Sequence, residues 1–491
     1  MTAGPGAPAG GAVRPHRAAL AVLAGACALF ALLQLGVATL LPQVQQAFGV
    51  SGSDASWVVS GHLLVGCVAT PVVSRLGDLH GRRVVLLAVL AVVAVTSVVS
   101  ALTGSFAVLL VARLVQGVAA GLFPLCVGLL REGFPGLSLS GPSGVLSAAF
   151  GTGGGVGAVV AGLFGGGLPA LRTLFAAAAL LAVVLLVAGA LLLPETPRRP
   201  ATRIDVPGLL LLGIVSSALL LALTRYGREG AGSVTGAVLL VIAAAGGVLL
   251  LRVERRSPEP VLDMRLMSRR PLLCLNVVSL LTGLVMFEIG VFAPALVTAP
   301  RETGYGLGGS GAVLTLVMLP MQIGALSGGL LSGRLRESGR ASARTVLAAS
   351  AVLFASGPVV FSFLPASAPG LALGTALNGL ATGLLGGAMA ELLVQSSPSG
   401  STAVTVGLNG VLRNLGGAFG VQVGSMMLMV AGDAGGHPSA LAYRAVFIGT
   451  AVLAVVGVGA AFLFPRSPAP LPRPDVPVPP GHSSRPIRPT T

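Results

Sequence analysis

Three ionisable side chains, Arg113, Glu288 and His62, lie inside long apolar runs of the sequence. Such groups are expensive in a hydrocarbon environment and usually face a cavity or a partner group. An arginine keeps its charge there, so Arg113 requires an acid, a carbonyl group or water beside it. A buried carboxyl group such as Glu288 suits reversible proton binding, and histidine exchanges protons near neutral pH. The three residues are therefore candidates for proton coupling.

Each of these residues also has a structural interpretation. Arg113 can be hydrogen-bonded to neighbouring backbone, Glu288 can be a protonated carboxyl group shared between helices, and His62 can be a packing histidine with its hydrogen bonds satisfied. Both interpretations stay open at each position.

Polar side chains in other apolar runs are candidates to line a substrate path. Gln34 can hydrogen-bond a substrate but cannot carry a proton. Arg413 can balance a carboxylate or bind an anionic substrate. For each amide alone, an interhelical hydrogen bond is the simpler explanation. The candidates for this path are Gln34, Gln116, Gln322, Asn378, Asn409 and Arg413.

The composition is that of a membrane protein. The chain has 491 residues, of which 54% are hydrophobic and only 9% are charged, which excludes an ordinary water-soluble protein. A helix needs about 20 apolar residues to cross a bilayer. We therefore predict an all-α membrane protein with fourteen transmembrane helices, at 17–41, 55–76, 83–103, 106–130, 143–167, 170–193, 206–224, 234–252, 271–297, 310–333, 343–364, 369–394, 403–430 and 445–465.

Positive charge is distributed unevenly between the two sides of this bundle. The 30 lysine and arginine positions are all arginine, and the formal net charge is +15. With the N-terminus inside, the outer loops hold only Arg225, Arg228, Arg301 and Arg444, with Arg172 near an outer helix end. Because cytoplasmic loops are enriched in basic residues, we expect both termini in the cytoplasm. Arginines spread over many loops do not form the basic patch of a nucleic-acid-binding protein.

The connection between the second and third runs, residues 74–86, combines an acid with arginines and glycines. Gly81 permits a tight turn between antiparallel helices, and Arg82 and Arg83 hold that turn in the cytoplasm. Asp78 can meet an arginine or a helix N-terminus. From its charges alone, this loop can simply set the orientation of the protein.

A shorter version of this loop, residues 333–340, follows the tenth run, so each loop follows the second run of a six-run block. We therefore predict two related six-helix bundles. They occupy residues 17–194 and 271–465, and residues 195–270 between them hold two additional helices with flanking cytoplasmic loops. The N-terminal residues 1–16 and the Pro-rich residues 466–491 are predicted to be disordered cytoplasmic tails.

Several of these motifs resemble those of the major facilitator superfamily. The loop signature of that family, G-x-L-x-D-R-x-G-R-[RK], is matched by Leu76, Asp78, Gly81, Arg82 and Arg83. Residues 113–117 are similar to its R-x-x-Q-G motif, in which the arginine is implicated in proton coupling. The fifth run resembles its glycine-rich antiporter motif, carried here by Gly157, Gly162, Gly165 and Gly166.

The fourteen runs, with residues 56–59, 193–195, 205–208, 260–266 and 412–420, resemble the fourteen-helix drug:proton antiporter branch. The resemblance implies a major facilitator fold and export of small organic molecules in exchange for protons by alternating access. It also implies that the loop at Asp78 latches the two halves. We expect a bacterial plasma-membrane monomer without a cofactor, driven by the proton gradient. Its partners would be lipid, substrate and protons, and not nucleic acid.

Two departures from the family pattern keep alternatives open. Leu33, with Gln34 beside it, stands where the first span commonly has an aspartate, and the Gly-Pro of the fifth span is Ala161-Gly162. An importer or facilitator of the same fold is therefore one alternative. A membrane sensor or enzyme is a remote one, because the sequence shows no metal-spaced cluster of His and Cys and no nucleotide motif in a credible context.

Overall fold

The chain forms a bundle of helices. A computed structural model describes residues 13–133, 145–146, 149–150, 153–155, 159–160, 163–164, 167–196, 205–257, 267–309, 311–397, 402–430 and 438–465. Its helices are α1 (Val13–Ala31), α2 (Val37–Thr39), α3 (Leu41–Phe48), α4 (Gly52–His80), α5 (Arg82–Leu102), α6 (Phe106–Gln116), α7 (Leu122–Gly133), α8 (Gly167–Leu192), α9 (Val206–Glu229), α10 (Val234–Arg256), α11 (Arg270–Thr298), α12 (Gly311–Glu337), α13 (Ala343–Phe363), α14 (Ala368–Ser396), α15 (Thr402–Val430) and α16 (Ala440–Leu463). The predicted all-α fold class is confirmed.

Most of the predicted spans are long apolar helices. In the described part of the chain, twelve helical stretches are long and apolar enough to cross a membrane. The 29-residue α15 is not among them, because its arginine and amide side chains lower its hydropathy. Most of the predicted span 143–167 lies outside the described residues. So do all four glycines of its motif, Gly157, Gly162, Gly165 and Gly166.

Two of the membrane spans are interrupted by short turns that are not α-helical. Between α1 and α2, a π-helical turn at Leu32–Gly36 contains Gln34. Between α6 and α7, a 3-10 turn at Gly117–Gly121 directly follows Gln116. A Cβ atom at Gly117 would lie 2.6 Å from Cβ of Val65 on α4, so the small residue is needed for this approach. Both types of turn often mark functional positions.

The helices fall into two halves that meet along α4 and α15. In the first half α5 packs on α8 and α6, and α1 packs on α8 and α7. In the second half α14 packs on α12 and α13, α16 packs on α13, and α11 packs on α15. We call α1–α8 the first half and α11–α16 the second half. The contact of α4 with α15 joins them, and α11 also touches α2 and α3.

The two additional helices lie beside this contact. Helix α9 packs against both α4 and α15, and α10 packs along α9. At the C-terminal end of α9, Arg228 forms an ion pair with Asp54 of α4. Nearby, Nε1 of Trp57 donates a hydrogen bond of 3.1 Å to Oγ1 of Thr224. Helix α9 is therefore bound by side-chain contacts to the first half and packs on the second.

Within the second half, α11 and α15 approach each other through glycine. A Cβ atom at Gly416 would lie 1.8 Å from the carbonyl oxygen of Leu280, and one at Gly283 would lie 2.0 Å from that of Arg413. Side chains at these positions would force the backbones apart. Small residues at such crossings let membrane helices pack closely.

We expect Gly416→Ala to lower the thermal stability of the detergent-purified protein, because its methyl group would collide with backbone. The expected loss of unfolding free energy is about 1–3 kcal/mol. The matched control is Gly410→Ala on the same helix, where an added Cβ atom meets nothing within 4 Å. Melting curves measure both variants, and equal melting temperatures would contradict this view of the crossing.

Candidate functional site

Arg113 lies near the end of α6 and is fully buried. Its Nε donates a hydrogen bond of 3.1 Å to the carbonyl oxygen of Val58 on α4, and its Nη1 donates one of 2.9 Å to Oε1 of Gln116. Nε2 of Gln116 in turn donates to Oγ of Ser97 on α5 at 3.1 Å. Among the described residues, Nη2 of Arg113 has no hydrogen-bond partner. The guanidinium is thus held by neutral dipoles inside the first half.

His62 belongs to the same cluster. Its Nδ1 lies 3.4 Å from the carbonyl oxygen of Arg113, and the ring is buried. Within the described ranges its Nε2 has no partner. The structure therefore brings together two of the three residues predicted to couple protons. Each has one buried nitrogen without a protein partner in the described part of the chain.

Glu288 lies elsewhere, between α11 and α16 of the second half. Its Oε1 is 2.6 Å from Oγ1 of Thr450, which is also 2.9 Å from the carbonyl oxygen of Val446. The hydroxyl group has one hydrogen, so it can serve only one of these two oxygens. If the hydroxyl donates to Val446, a neutral Glu288 carboxyl group can supply the hydrogen for the other contact. This geometry suits a carboxyl group that holds a proton.

Hydrogen bonds cross between the two halves at several levels. In the middle, Nε2 of Gln34 donates to Oδ1 of Asn414 at 3.1 Å, and both side chains are buried. Towards the Asp54 end of α4, Gln422 of α15 accepts from Oγ of Ser56 at 3.2 Å and donates to Oγ of Ser60 at 2.8 Å. The halves are therefore joined by neutral side chains.

Two more of the predicted path residues face the opposite half. The guanidinium carbon of Arg413 lies 5.5 Å from the centre of the Phe150 ring, a cation–π contact. Gln322 of α12 lies against the glycines of the first half, since a Cβ atom at Gly155 would be 2.7 Å from its Cγ. With Gln34, these residues form what we call the central site.

For the remaining path candidates, the hydrogen bonds of the described structure stay within one half. Gln116 is held by Arg113, as above. Asn409 accepts from Oγ of Ser279 at 2.6 Å and donates to Oδ1 of Asn276 at 3.2 Å, both on α11. Asn378 is fully buried in α14, and its amide atoms have no partner among the described residues. Their assignment to a substrate path stays a prediction.

The loop at Gly81 is tighter than the sequence predicts. Helix α4 continues through Leu76 and Asp78 to His80, so the connection to α5 is Gly81 alone, with φ of 95°. Nη2 of Arg82 bonds Oδ1 of Asp78 at 2.9 Å. A non-glycine residue would be strained at this φ.

The described contacts of this loop lie in or next to the first half. The backbone N–H of Arg82 donates to Oγ1 of Thr196 at 2.8 Å. Arg83 pairs with Glu195 at 3.2 Å and also donates to the carbonyl oxygen of Ala190. The loop thus ties the start of α5 to the end of α8. Its role as a latch between the two halves stays a prediction.

Sequence patterns confirm the family. The pattern that defines the Major Facilitator Superfamily matches residues 23–337 and 278–488. The chain belongs to this superfamily. It is therefore a multi-pass membrane transporter and not an enzyme, and the expected fold is confirmed.

Several curated relatives are similar at low identity. An uncharacterised transporter of this type from Mycobacterium tuberculosis is 31% identical over 303 residues, which are 60% of this chain and 42% of that relative. The probable actinorhodin transporter of Streptomyces coelicolor is 28% identical over 83% of this chain and 71% of its own length. The tetracenomycin C resistance and export protein of Streptomyces glaucescens is 28% identical over 86% of this chain and 77% of its own.

A solved structure has the same fold. The human organic anion transporter TETRAN is 19% identical with a TM-score of 0.62, and the alignment covers 91% of this chain and 99% of that one. At this identity the likeness supports the architecture alone.

Some residues of the site escaped the sequence-based prediction. Asn414, Phe150 and Thr450 each contact a predicted residue, but none was singled out as a candidate. For Asn414 a signal existed, because it is a second polar residue beside Arg413 within an apolar run. Phe150 and Thr450 are ordinary residues of membrane helices, and only their neighbours in space distinguish them.

We expect Glu288→Gln to keep the stability of the parent, because a glutamine amide can donate to Oγ1 of Thr450 as a neutral carboxyl group does. Thr450→Val keeps the shape but removes this partner, and should cost about 1–3 kcal/mol of unfolding free energy. Melting of both purified variants at neutral pH tests this. A large loss of stability in Glu288→Gln alone would show that Glu288 is held as a carboxylate.

Proposed function

We propose that the protein exports small amphipathic organic molecules in exchange for protons, by alternating access. The observation that carries this proposal is the central site, where polar side chains of both halves meet at the middle of the bundle. The hydrogen bonds between the halves are neutral, and such bonds in membranes contribute only about 0.6 kcal/mol each on average. They can therefore break and re-form as the halves rock.

The direction and the type of substrate are proposed from the relatives. Two of them are named for the export or transport of tetracenomycin C and actinorhodin, and a third is named the cephamycin export protein of Amycolatopsis lactamdurans. We place the chain in the fourteen-helix drug:proton antiporter branch. We also place it in the plasma membrane of a bacterium, as a monomer with both termini in the cytoplasm. The arginine distribution supports this orientation.

Proton coupling is assigned to Glu288, with Arg113 and His62 as a second cluster. The hydrogen-bond partner of Glu288 is Thr450 on α16 of the same half, and not a residue of the central site. Gly290 is two residues further along α11 and lies against Ala38 of the first half. A Cβ atom added at Gly290 would be 4.0 Å from Cβ of Ala38. A change in the charge of Glu288 would therefore act through the position of α11. The proton gradient is the energy source, and no cofactor is required.

The loop at Gly81 would act on the cytoplasmic side. There it holds α5 to the end of α8 and keeps the first half rigid while the halves move. The contact of Gln422 with Ser56 and Ser60 would close the outer side.

One observation favours a second candidate, a facilitator of the same fold. The described residues of the central site include no carboxyl group, and Gln34 stands near the position of the usual aspartate. Substrate would then cross without direct competition from a proton.

The deciding measurement is dye and drug transport by the purified protein in liposomes with an imposed pH gradient. We expect the gradient to drive movement of at least one compound in the parent. We expect Glu288→Gln to move it only at the rate seen without a gradient, because the amide cannot release a proton. The matched control is Glu302→Gln, an acid in an exposed loop.

Two results would contradict the proposal. Equal transport with and without the gradient in the parent would identify a facilitator. Full coupling in Glu288→Gln would show that Glu288 is a packing acid and that the coupling site lies elsewhere.

A further inference from the structure

We propose that the central site selects organic anions, specifically aromatic molecules that carry a carboxylate. In this assignment Arg413 is the counter-ion of the substrate, and the aromatic cluster at Phe150 packs against its rings. The inference rests on the proposed transport function and names the class of substrate.

The first step concerns the charge of Arg413. In the described part of the chain it makes no ion pair, and its buried Nε has no hydrogen-bond partner. Several other arginines do pair with acids, namely Arg82, Arg83, Arg225, Arg228 and Arg336. A half-buried guanidinium that lies between two helix bundles without a counter-ion is unfavourable. An anionic ligand would relieve this cost.

The second step concerns the acids. Among the described residues, Glu288 is the carboxyl group buried in the membrane-spanning part of the second half, and it is bound to Thr450 on α16. The central site therefore carries a positive charge with no compensating carboxylate in the described ranges. Such a site attracts anions and repels cations. A cationic drug would meet Arg413 without any group to neutralise it.

The third step concerns shape. The centre of the Phe150 ring lies 5.5 Å from the centre of the Phe30 ring and 6.2 Å from that of the Phe123 ring. An aromatic cluster therefore lies beside the guanidinium of Arg413. Arg413 is only half-buried, so part of its side chain can be reached. Rings of a substrate can stack here while its carboxylate pairs with Arg413.

A fourth observation is independent of Arg413. Oε1 of Gln34 is buried and has no partner among the described residues, although its Nε2 bonds Asn414. A buried acceptor without a donor is unfavourable. Gln34 lies one helical turn after Phe30. Its hydrogen-bond partner Asn414 directly follows Arg413 in the sequence. A hydroxyl or N–H group on the substrate can donate to it.

The test is a fluorescence-anisotropy titration of the purified full-length protein with two dyes that share a xanthene ring. Carboxyfluorescein is anionic and rhodamine 6G is cationic at pH 7.5. We expect the parent to bind the anion more tightly. We expect Arg413→Gln to weaken anion binding by about tenfold or more, because it removes a charge-assisted hydrogen bond, without weakening the binding of rhodamine 6G.

Two variants serve as controls. Arg413→Lys keeps the charge and should retain part of the preference for the anion. Arg172→Gln changes an exposed arginine of α8 and should bind both dyes as the parent does. A preference of the parent for rhodamine 6G would overturn the proposal. Binding of neither dye, or an equal effect of Arg413→Gln on both, would overturn it as well.

A second measurement needs only the parent protein, in case Arg413→Gln does not fold. Carboxyfluorescein with both of its carboxylates converted to methyl esters should bind more weakly than the free acid, and equal binding would overturn the proposal. These titrations need no gradient. Anion selectivity can therefore be established even if the liposome experiment shows a facilitator, and the two proposals fail separately.

Discussion

The contact between α4 and α15 is the constraint on which the rest of the structure depends. It joins the two helix bundles, and the hydrogen bonds of Gln422 to Ser56 and Ser60 cross it. In a bilayer, apolar surface gains nothing by leaving lipid for another apolar helix, so small residues and neutral polar groups hold such contacts. The two halves are thereby held in one arrangement by bonds weak enough to be exchanged for others.

The buried ionisable groups are arranged around this contact in a consistent way. Arg113 is solvated by a backbone carbonyl and by Gln116 inside the first half, and Glu288 is bonded to Thr450 inside the second. Neither lies at the central site. Arg413 is therefore the charge that the described structure presents there, against the face of Phe150. In the proposed mechanism, substrate and proton would therefore bind at different places, and α11, which touches both halves, would link them.

Much of the architecture was predictable because the bilayer selects for apolar residues over short continuous stretches of sequence. Apolar length placed most of the helices, and Gly81 was correctly read as a tight turn. The end of α4 was not predictable, because Leu76 to His80 is polar enough to be a loop, whereas in the structure the helix continues to His80 and Asp78 pairs with Arg82. For the site, sequence singled out Gln34, Gln322 and Arg413. It could not separate them from Asn378 and Asn409, since every amide in an apolar run has the same local signal.

The sequence by itself determined the class of protein and most of the helical segments, because the bilayer requires every backbone group in a span to be bonded within its own helix. That requirement is local and can be read from the order of residues. The short motifs of the sequence indicated the family. Only the tertiary structure decided which polar groups meet. Asn414 pairs with Gln34 from a position 380 residues away, and Thr450 reaches Glu288 across 162 residues. These pairs follow from how the helices cross, and helix crossing depends on close contacts such as Gly416 against Leu280, which involve two distant parts of the chain at once.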